Sequence, residues 1–280
     1  GLDWFNERNT GASNKNGVIF DAAIFGFLTT YDIAEINANG SLTNAEIIRS
    51  TNNETPTLIF APDNSYYSLS GYLDDDDRDI VLRKFTSNHQ LEWEKTEDTL
   101  GLSSIRHFAN DQEAFTQSDN SLTFFGSTSF DHALRTTHPF IGRISSEGDI
   151  EWKIELDRQI DALSPSKDGG VIFHQSVHRI QSIGYPDESI TKVDSSGEIE
   201  WTSFFSREDQ DGYFLIEEKR NGNIVVASEF GREVDFEGGL KLTADDGASF
   251  IAQLDQFGNF THAQKIGIEE WGTVTGLTTL

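Results

Sequence analysis

The stretch ITKVDSSGEIEW, Ile190 to Trp201, carries the pattern that decides the fold. It opens on an aliphatic residue, Ile190, and has a second apolar residue, Val193, three positions on. A polar turn follows and closes on Gly197, a residue type suited to a backbone position with φ > 0. Four residues later stands Trp201. Four other segments align with it without gaps: IAEINANG (Ile33 to Gly40), LRKFTSNH (Leu82 to His89), IGRISSEG (Ile141 to Gly148) and IAQLDQFG (Ile251 to Gly258). Their second apolar residues are Ile36, Phe85, Ile144 and Leu254. The position equivalent to Trp201 holds Asn44, Trp93, Trp152 and His262, and the Trp copies read LEW, DIEW and EIEW. The closing positions Gly40, His89, Gly148, Gly197 and Gly258 are 49, 59, 49 and 61 residues apart. That is the scale of a four-stranded unit with variable loops.

A two-residue polar turn leading into a short apolar strand precedes each copy. The cases are NGVIF at Asn16, DNSYYSLSG at Asp63, DNSLTFFG at Asp119, DGGVIF at Asp168 and NGNIVVASEFG at Asn221. A weaker strand comes earlier still, in TPTLIF at Thr55, EAF at Glu113 and YFLIEE at Tyr213. Helical periodicity is poor, and NAEIIRS at Asn44 falls where the other copies have their fourth strand. A small sheet of this kind exposes both faces, and radial stacking would bury them. A sandwich would not require five copies of one unit. The expectation is therefore an all-β, β-propeller fold of four-stranded blades. Five clear repeats plus a closing blade give six, with five blades as the alternative. The closing blade would draw on GLDW (Gly1 to Trp4) and WGTVTGLTTL (Trp271 to Leu280). Residues 1–280 then read as a single propeller domain belonging to a longer chain, since the sequence opens on Gly1 and contains no Met.

The segments ITKVDSSGEIEW and IGRISSEGDIEW resemble the outer-strand motif of quinoprotein-dehydrogenase-like propeller repeats. FIAQLDQFGNFTHAQKIG, Phe250 to Gly267, is similar to the β-propeller repeats of bacterial surface proteins. The resemblance implies fold and little function, because enzymes, scaffolds and adhesion proteins share such repeats. It does not bring a quinone site with it. No residue matches the family's cofactor site, and the adjacent-cysteine pair of many members is impossible in a chain without Cys.

Composition narrows the partners. The formal charge is −26, from 47 acidic and 21 basic residues. Such a surface repels a phosphate backbone and an anionic membrane, so no nucleic-acid partner is expected. No run of 18 apolar residues exists, so no direct membrane insertion is expected either. Apolar residues make up 36% of the chain, and 21 Phe, 6 Tyr and 5 Trp add area to several small cores.

Acidity also suits divalent cations. YLDDDDRD packs Asp74, Asp75, Asp76, Asp77 and Asp79 into one inter-strand loop, where like charges repel and calcium, an oxygen-seeking ion, would relieve them. In REDQDGYFLIEE, Asp209, Asp211 and Glu218 fall on positions three, five and twelve of an EF-hand loop. Arg207 at position one cannot ligate, and a strand pattern replaces the flanking helix. Calcium is thus the expected structural ion, at either cluster, against the plain alternative of wet acidic loops. The pair in HQSVH, His174 and His178, would lie about 13 Å apart on a strand, which disfavours a shared zinc. His107, His132 and His138 have no sequence reason to join them. Tyr66, Tyr67, Tyr72 and Tyr185 form a sugar platform only if exposed.

No nucleophile elbow, phosphate loop or metalloprotease motif is present, and no catalytic residue is assigned. With 47 acids, carboxylate pairs arise by chance and carry no signal. The expected function is a non-catalytic recognition head on an extracellular, cell or virion surface. Its propeller loops would bind a protein or glycan on a cell surface, for adhesion or host-receptor binding. The alternatives are a polysaccharide hydrolase or lyase with a central-funnel site, and a scaffold docking neighbouring domains of a larger chain.

Overall fold

The computed structural model describes residues 18–25, 28–36, 42–50, 57–71, 80–96, 114–131, 136–158, 160–176, 188–207 and 214–266, and they contain strands and turns only. In chain order the strands begin with β1 (Val18–Phe25), β2 (Leu28–Ile36), β3 (Leu42–Ser50), β4 (Thr57–Phe60), β5 (Tyr66–Gly71), β6 (Ile80–Phe85) and β7 (Leu91–Thr96). Next come β8 (Ala114–Thr116), β9 (Leu122–Asp131), β10 (Thr136–Ile144), β11 (Ile150–Glu155), β12 (Ile160–Pro165), β13 (Val171–Gln175), β14 (Glu188–Val193) and β15 (Ile199–Arg207). The last are β16 (Leu215–Glu218), β17 (Ile224–Phe230), β18 (Glu233–Phe236), β19 (Leu240–Thr243), β20 (Ala248–Leu254) and β21 (Phe260–Ile266).

The hairpins follow the repeat. Lys84 pairs with Trp93, Lys192 with Trp201 and Gln253 with His262, and the register shifts one step later in each ladder. The pairing of Glu35 with Asn44 obeys the same rule, so Asn44 lies on a strand and not in a helical turn. Among the described residues eight turns share one hydrogen-bond pattern, in which the first residue's N–H donates to the fifth residue's carbonyl and the fourth's to the first's. They start at Ala61, Thr86, Gln117, Ser145, Ser166, Asp194, Lys219 and Asp255. The fourth residue always has positive φ, between 62° and 90°, which explains the Gly, Asn or His found there.

The propeller expectation, of six or of five blades, is corrected by the sheet topology. The described strands form a three-stranded sheet and four sheets of four to six strands, antiparallel in every described ladder, with the orders β1-β2-β3, β4-β5-β6-β7, β11-β10-β9-β8, β12-β13-β14-β15-β18-β19 and β16-β17-β20-β21. Among the described residues these sheets are discrete, and none is closed by hydrogen bonds into the propeller arrangement expected. The repeat misleads because turn chemistry and strand pairing are local, whereas sheet membership is not. The longest spacing contains β18 and β19, which leave the sheet of their own repeat and extend β15 through Phe205↔Phe236, Ser206↔Asp235 and Arg207↔Val234. One repeat thus contributes to two sheets. The terminal segments expected to complete a closing blade lie outside the described residues.

The chain divides into two compact units, residues 1–137 with 143–150, and residues 138–142 with 151–280. In the first, Tyr66 stacks on Phe85 at 4.9 Å beside Leu58 and Phe60. In the second, Phe205, Phe214, Phe236 and Phe250 join Ile190, Ile224 and Val226 in one core shared by the six-stranded sheet and the sheet of β16, β17, β20 and β21. Full burial of each such side chain stabilises the fold by about 1.5–3 kcal/mol.

Candidate functional site

Each antiparallel sheet that carries two of these turns has two unlike ends. The turns lie at one end, and the connection between its second and third strands leaves from the other. The turn end is tied down by repeated polar contacts. Trp93 Nε1 donates to Ser146 O at 2.9 Å, Trp152 to Ser195 O at 3.2 Å and Trp201 to Gln256 O at 3.1 Å. Each Trp, half-buried, thereby reaches the turn of the following copy, and the three occupy equivalent positions as the alignment expects.

Beside the turns sits a clip of opposite charges. Lys192 Nζ lies 2.6 Å from Asp168 and 2.7 Å from Glu200. Arg143 binds Asp119 at 2.5 Å, and Lys84 binds Glu92 at 2.9 Å. Burial alone would raise the Asp168 carboxyl, but hydrogen bonds from Lys192, Gly170 N–H and Ser166 hold it below its ordinary value. Burial likewise opposes the lowering at Asp119, where Ser121 and Arg143 prevail. Lys192 is raised despite burial, through its hydrogen bonds to Asp168 and Glu200. Tyr66 and Tyr67 are core residues, at 1% and 0% exposure, and offer no sugar platform. The Tyr67 hydroxyl donates to Asn120 O at 2.5 Å. Burial first, then the carboxylates of Asp63, Glu147, Glu92 and Asp119, push its pKa upward.

At the opposite strand ends of the six-stranded sheet lies a buried charged cluster. His174 pairs with Ile190 and Glu188 with Phe205, so the side chains of His174, Glu188 and Arg207 meet on diagonals of one sheet face. His174 Nε2 lies 2.7 Å from Glu188 Oε2. Arg207 Nε donates to both Glu188 oxygens, at 2.7 and 3.0 Å. One Arg207 terminal nitrogen donates to Ser228 Oγ at 2.5 Å and to Glu229 O at 2.7 Å, reaching the next sheet. Phe214 stacks on the His174 ring at 3.7 Å and 8°. Glu188 and Arg207 carried no sequence signal, because their meeting depends on strand register. His174 was visible only through HQSVH. Its partner is Glu188, while His178 lies outside the described residues.

The calcium candidates Asp74, Asp75, Asp76, Asp77, Asp79, Asp209 and Asp211 also lie outside the described residues, in the β5–β6 and β15–β16 connections. Glu218, at position twelve of the EF-hand alignment, is engaged elsewhere. Its Oε2 accepts from Ser166 Oγ at 2.9 Å and Lys167 N at 2.8 Å. Among the described residues no group of three or more His, Cys, Asp or Glu is placed to hold a metal ion. Nor is any helix among them long and apolar enough to cross a membrane.

No family model matches the chain, and no curated protein matches it. Solved structures do. A protein of unknown function from Bacteroides caccae matches at 10% identity and TM-score 0.40, over 89% of this chain and 93% of its own. A Synechocystis apocarotenoid oxygenase, the Glu150Asp mutant, matches at 11% and 0.45, over 92% of this chain, which spans only 63% of the oxygenase. A protein of unknown function from Dyadobacter fermentans matches at 9% and 0.37, over 92% and 98%. These likenesses are too distant to carry a function. The resemblance to quinoprotein-like and bacterial surface-protein propeller repeats is corrected by the sheet topology, in which the shared motif marks a hairpin and not a propeller.

Proposed function

We propose that this chain is a non-catalytic recognition module of an extracellular, cell or virion surface, binding a protein or glycan through the strand connections opposite its tight turns. One observation supports the reading above others. Within the sheets, hydrogen-bonded turns of uniform length occupy one end, so variation in the length of the connections falls at the other. A rigid scaffold with variable connections at one end is a common design for binding. The main ionisable cluster among the described residues also favours binding over turnover. His174, Glu188 and Arg207 are exposed by 0%, 0% and 2%, closed to a polymer substrate. The charge of −26 favours a neutral or cationic target.

The test is to pass the fluorescently labelled chain over arrays of cell-surface glycans and receptor ectodomains while assaying the polysaccharides for new reducing ends. Retention on a restricted set of targets without product is the expected result. Product release, abolished by a single carboxylate substitution, would establish the enzyme reading instead.

A further inference from the structure

We propose that Asn259 is an acceptor for an N-linked glycan and that the exposed Phe257 ring is the platform for its first sugar. The proposal rests on the extracellular reading above, because such glycans mark surface turns of secreted chains. Asn259-Phe260-Thr261 is an Asn-x-Ser/Thr acceptor triplet without Pro at its middle position. A triplet alone says little, and what sets this one apart is its place in the repeat. Three other hairpins carry the same turn before their Trp strand. The third and fifth residues of that turn, and the second residue after it, are Asn88, Gln90 and Glu92, then Glu147, Asp149 and Glu151, then Ser196, Glu198 and Glu200. All are polar and most are acidic. The last copy has Phe257, Asn259 and Thr261 at those positions. A ring, an amide and a hydroxyl thus replace the polar and acidic residues together.

All three residues are exposed, and Phe257, at 68%, is the most exposed large apolar residue among those described. One exposed apolar side chain needs no explanation by itself. A ring held two residues before a glycan acceptor has one. Asp255 N–H donates to Asn259 O at 2.9 Å, and Gly258 N–H to Asp255 O at 3.1 Å. Asp255 Oδ1 also accepts from the N–H groups of Phe257 and Asn259, both at 2.9 Å. Trp201 Nε1 donates to Gln256 O at 3.1 Å, which ties the same turn to the neighbouring hairpin. Phe257 and Asn259 are therefore fixed together on one short turn, where the C–H face of a sugar on Asn259 can lie against the negative face of the ring.

In the transfer, Asn259 Nδ2 attacks C1 of a lipid-pyrophosphate-linked oligosaccharide. The N–C1 bond forms, the C1–O bond to pyrophosphate breaks, the lipid pyrophosphate leaves and one amide proton is lost. Nδ2 lies 3.0 and 3.2 Å from the two Asp255 oxygens. Attachment uses one of its two N–H groups, and the other still serves this carboxylate. The glycan stands at the turn end of its sheet, so it leaves the connections at the other end free.

The test sends the whole chain through the secretory pathway of cultured eukaryotic cells behind an added leader. Asn39→Gln and Asn53→Gln remove the two other acceptor triplets, which lie outside the described residues. Peptide mass spectrometry should find a glycan at Asn259, and Thr261→Ala should leave that residue bare. The glycosylated chain should melt at least about 2 °C above the same chain made without glycan in bacterial cytoplasm, and Phe257→Ala should remove that gain. A bare Asn259 in the secreted chain would overturn the acceptor site. An equal gain in Phe257→Ala, whose exposed side chain the fold does not need, would overturn the platform. The leader supplies the compartment, so neither result bears on the extracellular reading, which the target arrays test.

Discussion

A methyl group added at Gly258 would stand 2.6 Å from Trp201 Cε3 and 2.7 Å from Ser203 Oγ, whereas one at Gly222 meets nothing nearer than 3.7 Å. Both residues have φ near +85°, at +86° and +84°. Gly222→Ala should therefore cost only the left-handed backbone penalty, about 1–2 kcal/mol. Gly258→Ala should cost at least about 1 kcal/mol more, because the indole must move. Urea unfolding of the two variants checks this, and equal losses would argue that Trp201 does not press on Gly258. Trp201→Ala should cost about 2 kcal/mol, below the range for a fully buried ring, since the indole is half-buried and gives up one hydrogen bond. Combined with Gly258→Ala it should be less than additive. The glycine and the Trp were both legible as repeated positions. Their contact was not, because it joins one copy to the next.

At the scale of elements, the clip beside the turns ties stability to acid. Asp168 and Asp119 are held below their ordinary values. A carboxylate depressed in the folded state contributes stability that is present above its unfolded pKa of about 3.9 and is lost as pH falls through the folded value. Wild type should thus lose more of its urea midpoint between pH 5 and pH 2.5 than Asp119→Asn/Asp168→Asn does. Parallel losses would show that these carboxylates contribute nothing to acid sensitivity. The hairpin of β18 and β19 gives a second expectation. Phe236 is 1% exposed, 4.8 Å from the Phe260 ring and 5.4 Å from Phe250. Phe236→Ala should cost about 3–5 kcal/mol in chemical unfolding. A loss under ~1 kcal/mol would mean that the hairpin is not anchored in the core. Strand, turn and apolar positions could be read from the sequence because each is fixed within a dozen residues. The transfer of this hairpin to β15 could not, since nothing local in Glu233 to Thr243 names its partner.

For the whole molecule, the repeat revealed an all-β chain and the scale of its sheets, then led to a closed ring that the sheet topology does not contain. The candidate site was less legible. His174 stands out in the sequence for its spacing to His178, yet strand register brings it to Glu188, fourteen residues along, which Arg207, thirty-three along, binds in turn. The clips were equally hidden, since Asp168 and Lys192 belong to different elements. The proposed function divides labour between the ends of the sheets, and its most direct test is an exchange of segments. Residues 72–79 and 177–187 are replaced by Gly-Ser segments of equal length, and in separate variants the turns at 145–149 and 194–198 are scrambled. Melting temperature and retention on the target arrays are measured for each. Variants with replaced connections should melt close to the wild type and lose retention, while the scrambled turns should melt many degrees lower. Retention that survives both connection replacements, or turns that can be scrambled without loss of stability, would contradict the division of scaffold from binding surface.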